Sequence, residues 1–449
     1  MENLNSRRSF IKKSAAVSSG LLIGGVLPGF SAKSYNRILG ANDKIRASVM
    51  GVNSRGYALS ANFAFQKKCD VIHICDVDSR ASRKAVVNVE EVQGTKPEEF
   101  GDFRKSLESK DIDVMVIATP DHWHAPAALM ALQAGKHVYV EKPVSHNPAE
   151  GEILLKAADY FKKSVQMGNQ RRSWPNVIEG INELKKGVVG RPYFGKGWYS
   201  NNRSSIGIGK EVDVPDWLNW ELWQGPAPRK AYKDNIVHYN WHWRWHWGTG
   251  EALNNGTHMI DLLRWGMGVD YPTKVSSNGG RYRYKDDWET PDTQVINLDF
   301  EEGVSMSWEG RSCNGRYVEG GAVGVVFYCE EGSMVMTGGN GYKIYDLHNN
   351  LTKEVKNETV IDPRNLSNPA SQLDALHIQN LFNNIYSGEP LTADIHSGYK
   401  STLLVQLGNI AQRVGHSLEI NPENGHIVGD RKAKKLWSRE YEKGWEMKF

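Results

Sequence analysis

Residues 113–143 constrain the fold more than any other stretch. An apolar run, Val114-Met115-Val116-Ile117-Ala118, stops at Thr119-Pro120, and a second, His137-Val138-Tyr139-Val140, stops at Glu141-Lys142-Pro143. Between them, small residues from about Pro126 to Ala134 predict a helix. Strand, helix, strand in this order is a βαβ unit of a parallel sheet. Such sheets bind ligands beyond the carboxyl ends of their strands. Thr119, Pro120, Glu141 and Lys142 fall at two such ends and are assigned to a ligand site.

The alternation extends upstream. Ile45–Met50 reads as a first strand, Gly51-Val52-Asn53-Ser54-Arg55-Gly56 as a turn, Tyr57–Lys67 as a helix, and Val71–Cys75 as a second strand ending at Asp76. Repetition of this kind predicts an α/β Rossmann domain, a doubly wound parallel sheet. Gly51 and Gly56 hold the outer places of G-x-G-x-x-G, and Asn53 replaces the middle glycine. The first glycine permits the tight turn and the last permits close helix packing. The turn, with Ser54 and Arg55, is expected to cradle a dinucleotide pyrophosphate. Asp76 lies twenty residues after Gly56. Its carboxylate would accept ribose hydroxyls and repel a 2′-phosphate, which favours NAD over NADP. Arg55 and Arg80 are the residues that would pair with such a phosphate. His122, Trp123 and His124, beside Thr119-Pro120, are expected to frame the nicotinamide pocket.

From about Gln166 the texture changes. Trp, Tyr and Gly become frequent, and short runs such as Thr293–Phe300, Val304–Trp308 and Val323–Cys329 predict an α+β domain with a large, mostly antiparallel sheet. Helical periodicity returns over 373–415. The division expected is a dinucleotide domain at 41–165 and a substrate domain at 166–449. Within the latter, Trp241-His242-Trp243-Arg244-Trp245-His246-Trp247 packs four tryptophans into seven residues. In an extended strand the indoles share one face and His242, Arg244 and His246 the other. Indole faces suit the C–H faces of pyranose rings, so Trp243, Arg244 and Trp245 are assigned to a carbohydrate; an aromatic core strand is the alternative.

Four cysteines without CxxC spacing, and histidines without a placed carboxylate partner, predict no metal site. A formal charge of +3 over 449 residues marks no nucleic-acid or membrane-surface partner. Residues 1–40 read as a leader. Ser6-Arg7-Arg8-Ser9-Phe10-Ile11-Lys12 looks like a twin-arginine export signal, and the uncharged stretch Ala15–Phe30 is too short for a stable membrane span. Export to the periplasm is expected. Free dinucleotide should be scarce there, so the cofactor is expected to be tightly held.

The Thr119–Pro126 segment, followed by Glu141-Lys142-Pro143, resembles the Gfo/Idh/MocA family of glucose–fructose oxidoreductase and inositol dehydrogenase. The resemblance implies that Lys142 is catalytic, near the nicotinamide. Residues 248–265 resemble the family's Asp-x-x-x-His motif, with His258 as the histidine and Asn254 where the aspartate usually stands. A carboxylate beside an imidazole stabilises its protonated form, whereas an amide only orients it. Proton removal is therefore expected of Lys142, or of His258 supported by Glu251. Gln170, Arg171 and Arg172 match the place where family members begin the second domain and contact substrate; Gln170 and Arg172, with Asn254 and His258, are assigned to substrate. The implied reaction is oxidation or reduction of a secondary hydroxyl on a pyranose, glycoside or polyol, with C3 the candidate carbon. Redox-neutral glycoside cleavage with a trapped cofactor is a second reading, and a non-catalytic sugar-binding protein a third. The resemblance also implies a homodimer or homotetramer through the second domain's sheet.

Overall fold

A computed structural model describes residues 43–301, 303–356, 358 and 371–449. The export signal expected over 1–40 lies outside the described residues.

The first domain alternates as its apolar runs require: β1 (Ile45–Met50), α1 (Arg55–Ala64), β2 (Cys69–Cys75), α2 (Ser79–Gln93), β3 (Glu98–Phe100), α3 (Phe103–Leu107), β4 (Val114–Ile117), α4 (Asp121–Gln133), β5 (His137–Val140), α5 (Pro148–Phe161) and β6 (Val165–Met167). The six strands are parallel, in the order β3-β2-β1-β4-β5-β6. All four residues of β4 are buried, because helices cover both faces of the sheet. After α2, Glu98-Glu99-Phe100 forms the edge strand β3.

Helix α4 begins at Asp121, five residues before the Pro126 that marked its expected start. Pro126 has no N–H to give the His122 carbonyl one turn back. The Arg439 guanidinium supplies the donor instead, at 2.8 Å. The histidines of this segment therefore sit in the first helical turn, over the sheet.

The chain continues through α6 (Pro175–Lys185), β7 (Pro192–Ser200), α7 (Trp220–Gln224) and α8 (Thr257–Met267). Strands β8 (Lys274–Gly280), β9 (Thr293–Asp299), β10 (Ser305–Arg311), β11 (Val323–Cys329), β12 (Gly332–Met336), β13 (Tyr342–Asp346) and β14 (Leu351–Val355) follow. Helices α9 (Ser371–Ser387) and α10 (Ile395–Val414), then β15 (Leu418–Glu419), complete the second domain's sheet and its cover. The nine-stranded sheet runs β14-β13-β12-β11-β7-β10-β9-β8-β15, antiparallel except where β10 meets β7. Helix α8 lies close against it: a Cβ at Gly195 would come within 2.8 Å of Leu263, and one at Gly197 within 3.0 Å of Met259. That closeness brings the start of α8 to the edge of the first domain.

The two domains share their packing. Strand β6 straddles the expected boundary at 165/166. Ile378, Leu381 and Phe382 of α9 join the first domain's core, with Phe382 edge-on to Phe63 at 5.9 Å.

Candidate functional site

A cleft of about 810 Å³ runs between the domains, from the ends of β1 and β2 to the start of α8. Its first half is the glycine turn. Gly51 has φ +82°, and a Cβ there would lie 2.8 Å from the Ala118 carbonyl oxygen. A Cβ at Gly56 would stand 1.9 Å from the Gly51 oxygen, so only glycine lets α1 start this close to the turn. No side chain caps the N-terminus of α1, which leaves its N–H groups to an anion. Asn53, Ser54 and Arg55 line the cleft here; Gly56 does not line it and serves instead to let α1 pack on Gly51.

The Asp76 carboxylate accepts from Val52 N at 2.6 Å and from Asp78 N at 2.9 Å. Burial raises its pKa, and these two N–H groups pull it back down. Each oxygen keeps a lone pair for a ribose hydroxyl. The two arginines that would hold a 2′-phosphate are occupied. Arg55 binds Glu141 and Asp374, both at 2.8 Å, and Arg80 binds Asp78 while its guanidinium lies 3.3 Å from the Trp217 ring centre. The uncapped helix end, the cradle a Cβ would fill and the buried carboxylate together fit NAD(H).

The second half of the cleft centres on Lys142. Its ammonium donates to Asn254 Oδ1 at 3.0 Å. Burial lowers its pKa, opposed by Glu141 and Asp121. Asn254 in turn donates to Glu251 at 3.3 Å, and Glu251 is held by Arg203 at 2.7 Å and by the Ser312 hydroxyl at 3.0 Å. Residues Ala252–Gly256 form one turn of wider π-helix before α8, and this turn aims Asn254 at the lysine. Glu251 is thus committed to Arg203, and the support for His258 expected from it is not made. His258 lines the cleft with its Nδ1 buried and unpartnered. Burial, then the charges of Arg171 and Lys142, drives its pKa well below the ordinary histidine value, so it is neutral.

Other expected residues divide. Thr119, Pro120, Trp123, His124, Glu141 and Gln170 line the cleft. His124 faces the carbonyls of Pro143 (2.6 Å) and Thr119 (2.8 Å), tying the ends of β4 and β5 together. Glu141 accepts from Gln170 Nε2 at 3.0 Å and from Arg55 Nε at 2.8 Å. His122 turns away, its Nε2 3.0 Å from the Trp223 carbonyl. Arg172 forms a two-pronged pair with Asp261, both contacts 2.8 Å, and does not reach the cleft.

The tryptophan run is not a strand. Asn240–Trp243 is a 3₁₀ turn, and the chain turns again at Arg244–Gly248. The indoles diverge: Trp243 stacks on Trp288 at 4.0 Å, Trp245 lies under Arg413 at 4.8 Å, and Trp247 packs edge-on to Trp223 at 5.4 Å. Arg244 binds Asp287 at 3.0 Å and Asn235 at 2.8 Å. Trp243, Arg244 and Trp245 therefore lie outside the cleft; backbone bonds from Glu289 and Thr290 to the Trp243 carbonyl impose the turn. Trp241 and His242, stacked at 3.5 Å, line it instead. So do Tyr199, Asn201 and Tyr239, none of which stood out in the sequence. Tyr239 has φ +80°, a strained value for a residue with a Cβ, which sets its ring over Arg203 at 5.2 Å. Among the described residues, no group of three or more His, Cys, Asp or Glu side chains is placed to hold a metal ion.

Two family models match the chain. The oxidoreductase family's NAD-binding Rossmann fold, GFO_IDH_MocA, covers residues 45–169, and the GFO/IDH/MocA C-terminal domain covers residues 225–335. The chain belongs to the Gfo/Idh/MocA oxidoreductase family. Among its relatives is a glycosyl hydrolase family 109 protein of Saccharopolyspora erythraea, 28% identical over 51% of this chain and 55% of that one. Another, a glycosyl hydrolase family 109 protein 2 of Shewanella, is 30% identical over 62% and 60%. The chain thus aligns with about half of the curated relatives' length. In fold it is similar to levoglucosan dehydrogenase with NADH and levoglucosan (TM-score 0.63, 18% identity, 84% of this chain and 99% of that one). It is also similar to the WlbA dehydrogenase of Bordetella pertussis with NADH and UDP-GlcNAcA (TM-score 0.61, 20% identity, 84% and 99%). No helix among the described residues is long and apolar enough to cross a membrane.

Proposed function

We propose that this oxidoreductase acts, with NAD(H), on a secondary hydroxyl of a pyranose, glycoside or related polyol, with C3 the candidate carbon. The observation that carries the reading is a lysine amine of lowered pKa, tied to a neutral acceptor, in one cleft with the dinucleotide turn. Fold relatives named for NADH with levoglucosan or UDP-GlcNAcA support a sugar as substrate.

When bound, the nicotinamide supplies the site of hydride exchange. The chain supplies the rest. Lys142 Nζ, as the neutral amine, takes the hydroxyl proton, and as the ammonium returns it in the reverse direction. Asn254 Oδ1 accepts a hydrogen bond from either form, so it orients the amine while favouring the charged state less than a carboxylate would. Neutral His258 binds the same hydroxyl oxygen. Gly51, Asn53, Ser54 and the start of α1 hold the phosphates, and Asp76 holds the ribose.

Tight retention of the dinucleotide is part of this proposal. A segment of the second domain crosses beside Asp76: Ser79 N donates to the Trp217 carbonyl (3.0 Å), Asn219 N to the Val77 carbonyl (2.9 Å), and His238 Nε2 meets Asp78 Oδ2 at 2.8 Å. Release at the ribose end would break these bonds. Retention suits export by the twin-arginine signal proposed for residues 1–40. It also favours a second reading, redox-neutral glycoside cleavage, which the family 109 relatives support. A homodimer or homotetramer through the outward sheet face completes the proposal, and sedimentation of the purified protein tests it.

The test of function is to add glycosides to the purified protein without added dinucleotide. A rise of the reduced-nicotinamide band supports a dehydrogenase half-reaction. Cleaved glycoside without that rise supports the second reading. Binding of a sugar with neither change refutes both and leaves a binding protein.

A further inference from the structure

We propose that His122 and His146 form an acid-sensitive latch: they hold the second domain and the C-terminal segment on the first domain, and acid frees the bound dinucleotide. This rests on the reading of the cleft as an NAD(H) site and adds a control over it.

Neither ring lines the cleft. His122 lies in the first turn of α4, and His146 stands two residues before α5. His122 Nε2 is 3.0 Å from the Trp223 carbonyl oxygen, and His146 Nε2 is 3.1 Å from that of Gly248. A carbonyl only accepts, so each Nε2 carries a proton and each neutral ring has its lone pair at Nδ1. Both Nδ1 atoms are buried without a hydrogen-bond partner among the described residues. The backbone closes the same contact: His122 N donates to the Trp247 carbonyl at 3.2 Å, and Arg439 donates to the His122 carbonyl at 2.8 Å. Trp123 Nε1 shares the Trp223 carbonyl at 3.0 Å, and Trp445 packs edge-on to Trp123 at 5.3 Å. Second-domain loops and the C-terminal segment thus meet the first domain around two imidazoles.

The surrounding charges oppose protonation. Burial, then the Arg439 guanidinium, drives both rings well below the ordinary histidine value, against the pull of the two carbonyl bonds. The other ionisable groups here are engaged elsewhere. Glu150 accepts from Arg439 Nε at 2.7 Å and the Tyr441 hydroxyl at 2.9 Å, and its second oxygen accepts from His146 N at 3.1 Å. Asp121 accepts from the Thr249 hydroxyl. His246 faces the Pro228 carbonyl at 2.8 Å, with the Lys230 charge acting on it. A proton on either Nδ1 would be a buried charge without an acceptor, beside a second cation. A solvated histidine takes that proton below about pH 6.5. Above that pH the closed arrangement loses nothing. Below it, each ring that must stay neutral weakens closure about tenfold per pH unit, and two rings up to about a hundredfold. Opening lifts Trp223 from the first domain, and Trp223 lines the cleft with Leu222.

The test loads the purified protein with NAD, removes the free dinucleotide, and follows release by rapid filtration between about pH 8 and 5. Far-UV circular dichroism at each pH reports whether the chain stays folded. Wild-type release is expected to accelerate about 10–100-fold between about pH 6.5 and 5.5, with the dichroism unchanged. His146→Gln alone should keep about half of that logarithmic rise. In the double variant His122→Gln, His146→Gln each amide keeps a donor for its carbonyl and does not titrate, so the rate should change less than about threefold. A wild-type rate that does not rise overturns the inference without any variant. A double variant that keeps the full rise also overturns it and moves the acid response to another group, such as Asp76. Loss of the dichroism signal in step with release overturns it in favour of general acid unfolding. A protein that holds no NAD at any pH refutes the dinucleotide reading itself, and the latch falls with it.

Discussion

Replacing Asn254 by aspartate should move the pH dependence of sugar oxidation toward alkali. In the present cleft the Lys142 ammonium has a neutral partner, 3.0 Å away, and burial lowers its pKa. Asn254→Asp puts a negative charge at the same distance. At an effective dielectric constant of about 20, unit charges 3.0 Å apart attract by about 5.5 kcal/mol. Desolvating the new carboxylate removes much of that, and opposite charges in such contact shift a neighbour by about 1–3 pH units, or about 1.4–4 kcal/mol. The substitution also turns the 3.3 Å contact with Glu251 into one between two carboxylates; Arg203, 2.7 Å from Glu251, offsets that repulsion, and Lys142 is the cation that faces the new aspartate. The sign follows. Only the amine removes a proton, so kcat/KM for oxidation falls tenfold per pH unit below the lysine pKa. Raising that pKa moves the acid limb to higher pH. The assay is kcat/KM for NADH formation across about pH 5–10, which reports the groups of the free enzyme. Asn254→Leu, which removes the acceptor without adding charge, should lower the rate with no upward movement of the limb. A limb that stays in place or moves to lower pH in Asn254→Asp would refute the assignment of Lys142 as the base.

Other consequences follow from particular contacts. Asp76→Ala removes the ribose acceptor and should weaken NAD binding about 10–100-fold in a fluorescence titration; unchanged affinity would remove Asp76 from the site. Arg203→Gln strands the buried Glu251 carboxylate and should cost about 3–5 kcal/mol in urea unfolding, with less than about 1 kcal/mol arguing that Glu251 is not charged there. Trp241→Ala should weaken sugar binding, whereas Trp245→Ala should not; the reverse result would restore the extended reading of the tryptophan run.

The parts of the fold legible in the sequence were those that local chemistry dictates. Val114–Ile117 and His137–Val140 are continuous apolar runs because both faces of a parallel sheet are covered. Gly51 and Gly56 are readable because no other residue fits the space the turn leaves. Misreadings arose where a distant residue decided. Pro126 resembled a helix start, yet α4 begins earlier because Arg439 satisfies the carbonyl that the proline cannot. The tryptophan run has the alternation of a strand, yet Trp288, Arg413 and Trp223 draw its indoles in three directions. Arg171 and Arg172 are indistinguishable as letters. A 3₁₀ turn points one at Asp261 and the other into the cleft. Tyr199, Asn201 and Tyr239 carry no motif, and only the closing of the second domain over the first brings them to the site.

The account's central claim is that Lys142 moves the hydroxyl proton in a cleft that holds dinucleotide and sugar together. Lys142→Ala tests it most directly, by single-turnover formation of NADH alongside separate binding titrations of NAD and sugar. The account predicts a rate loss of about 10²–10⁴-fold with both affinities changed only a few-fold. Turnover within tenfold of wild type would contradict it, as would loss of sugar binding large enough to explain the whole defect.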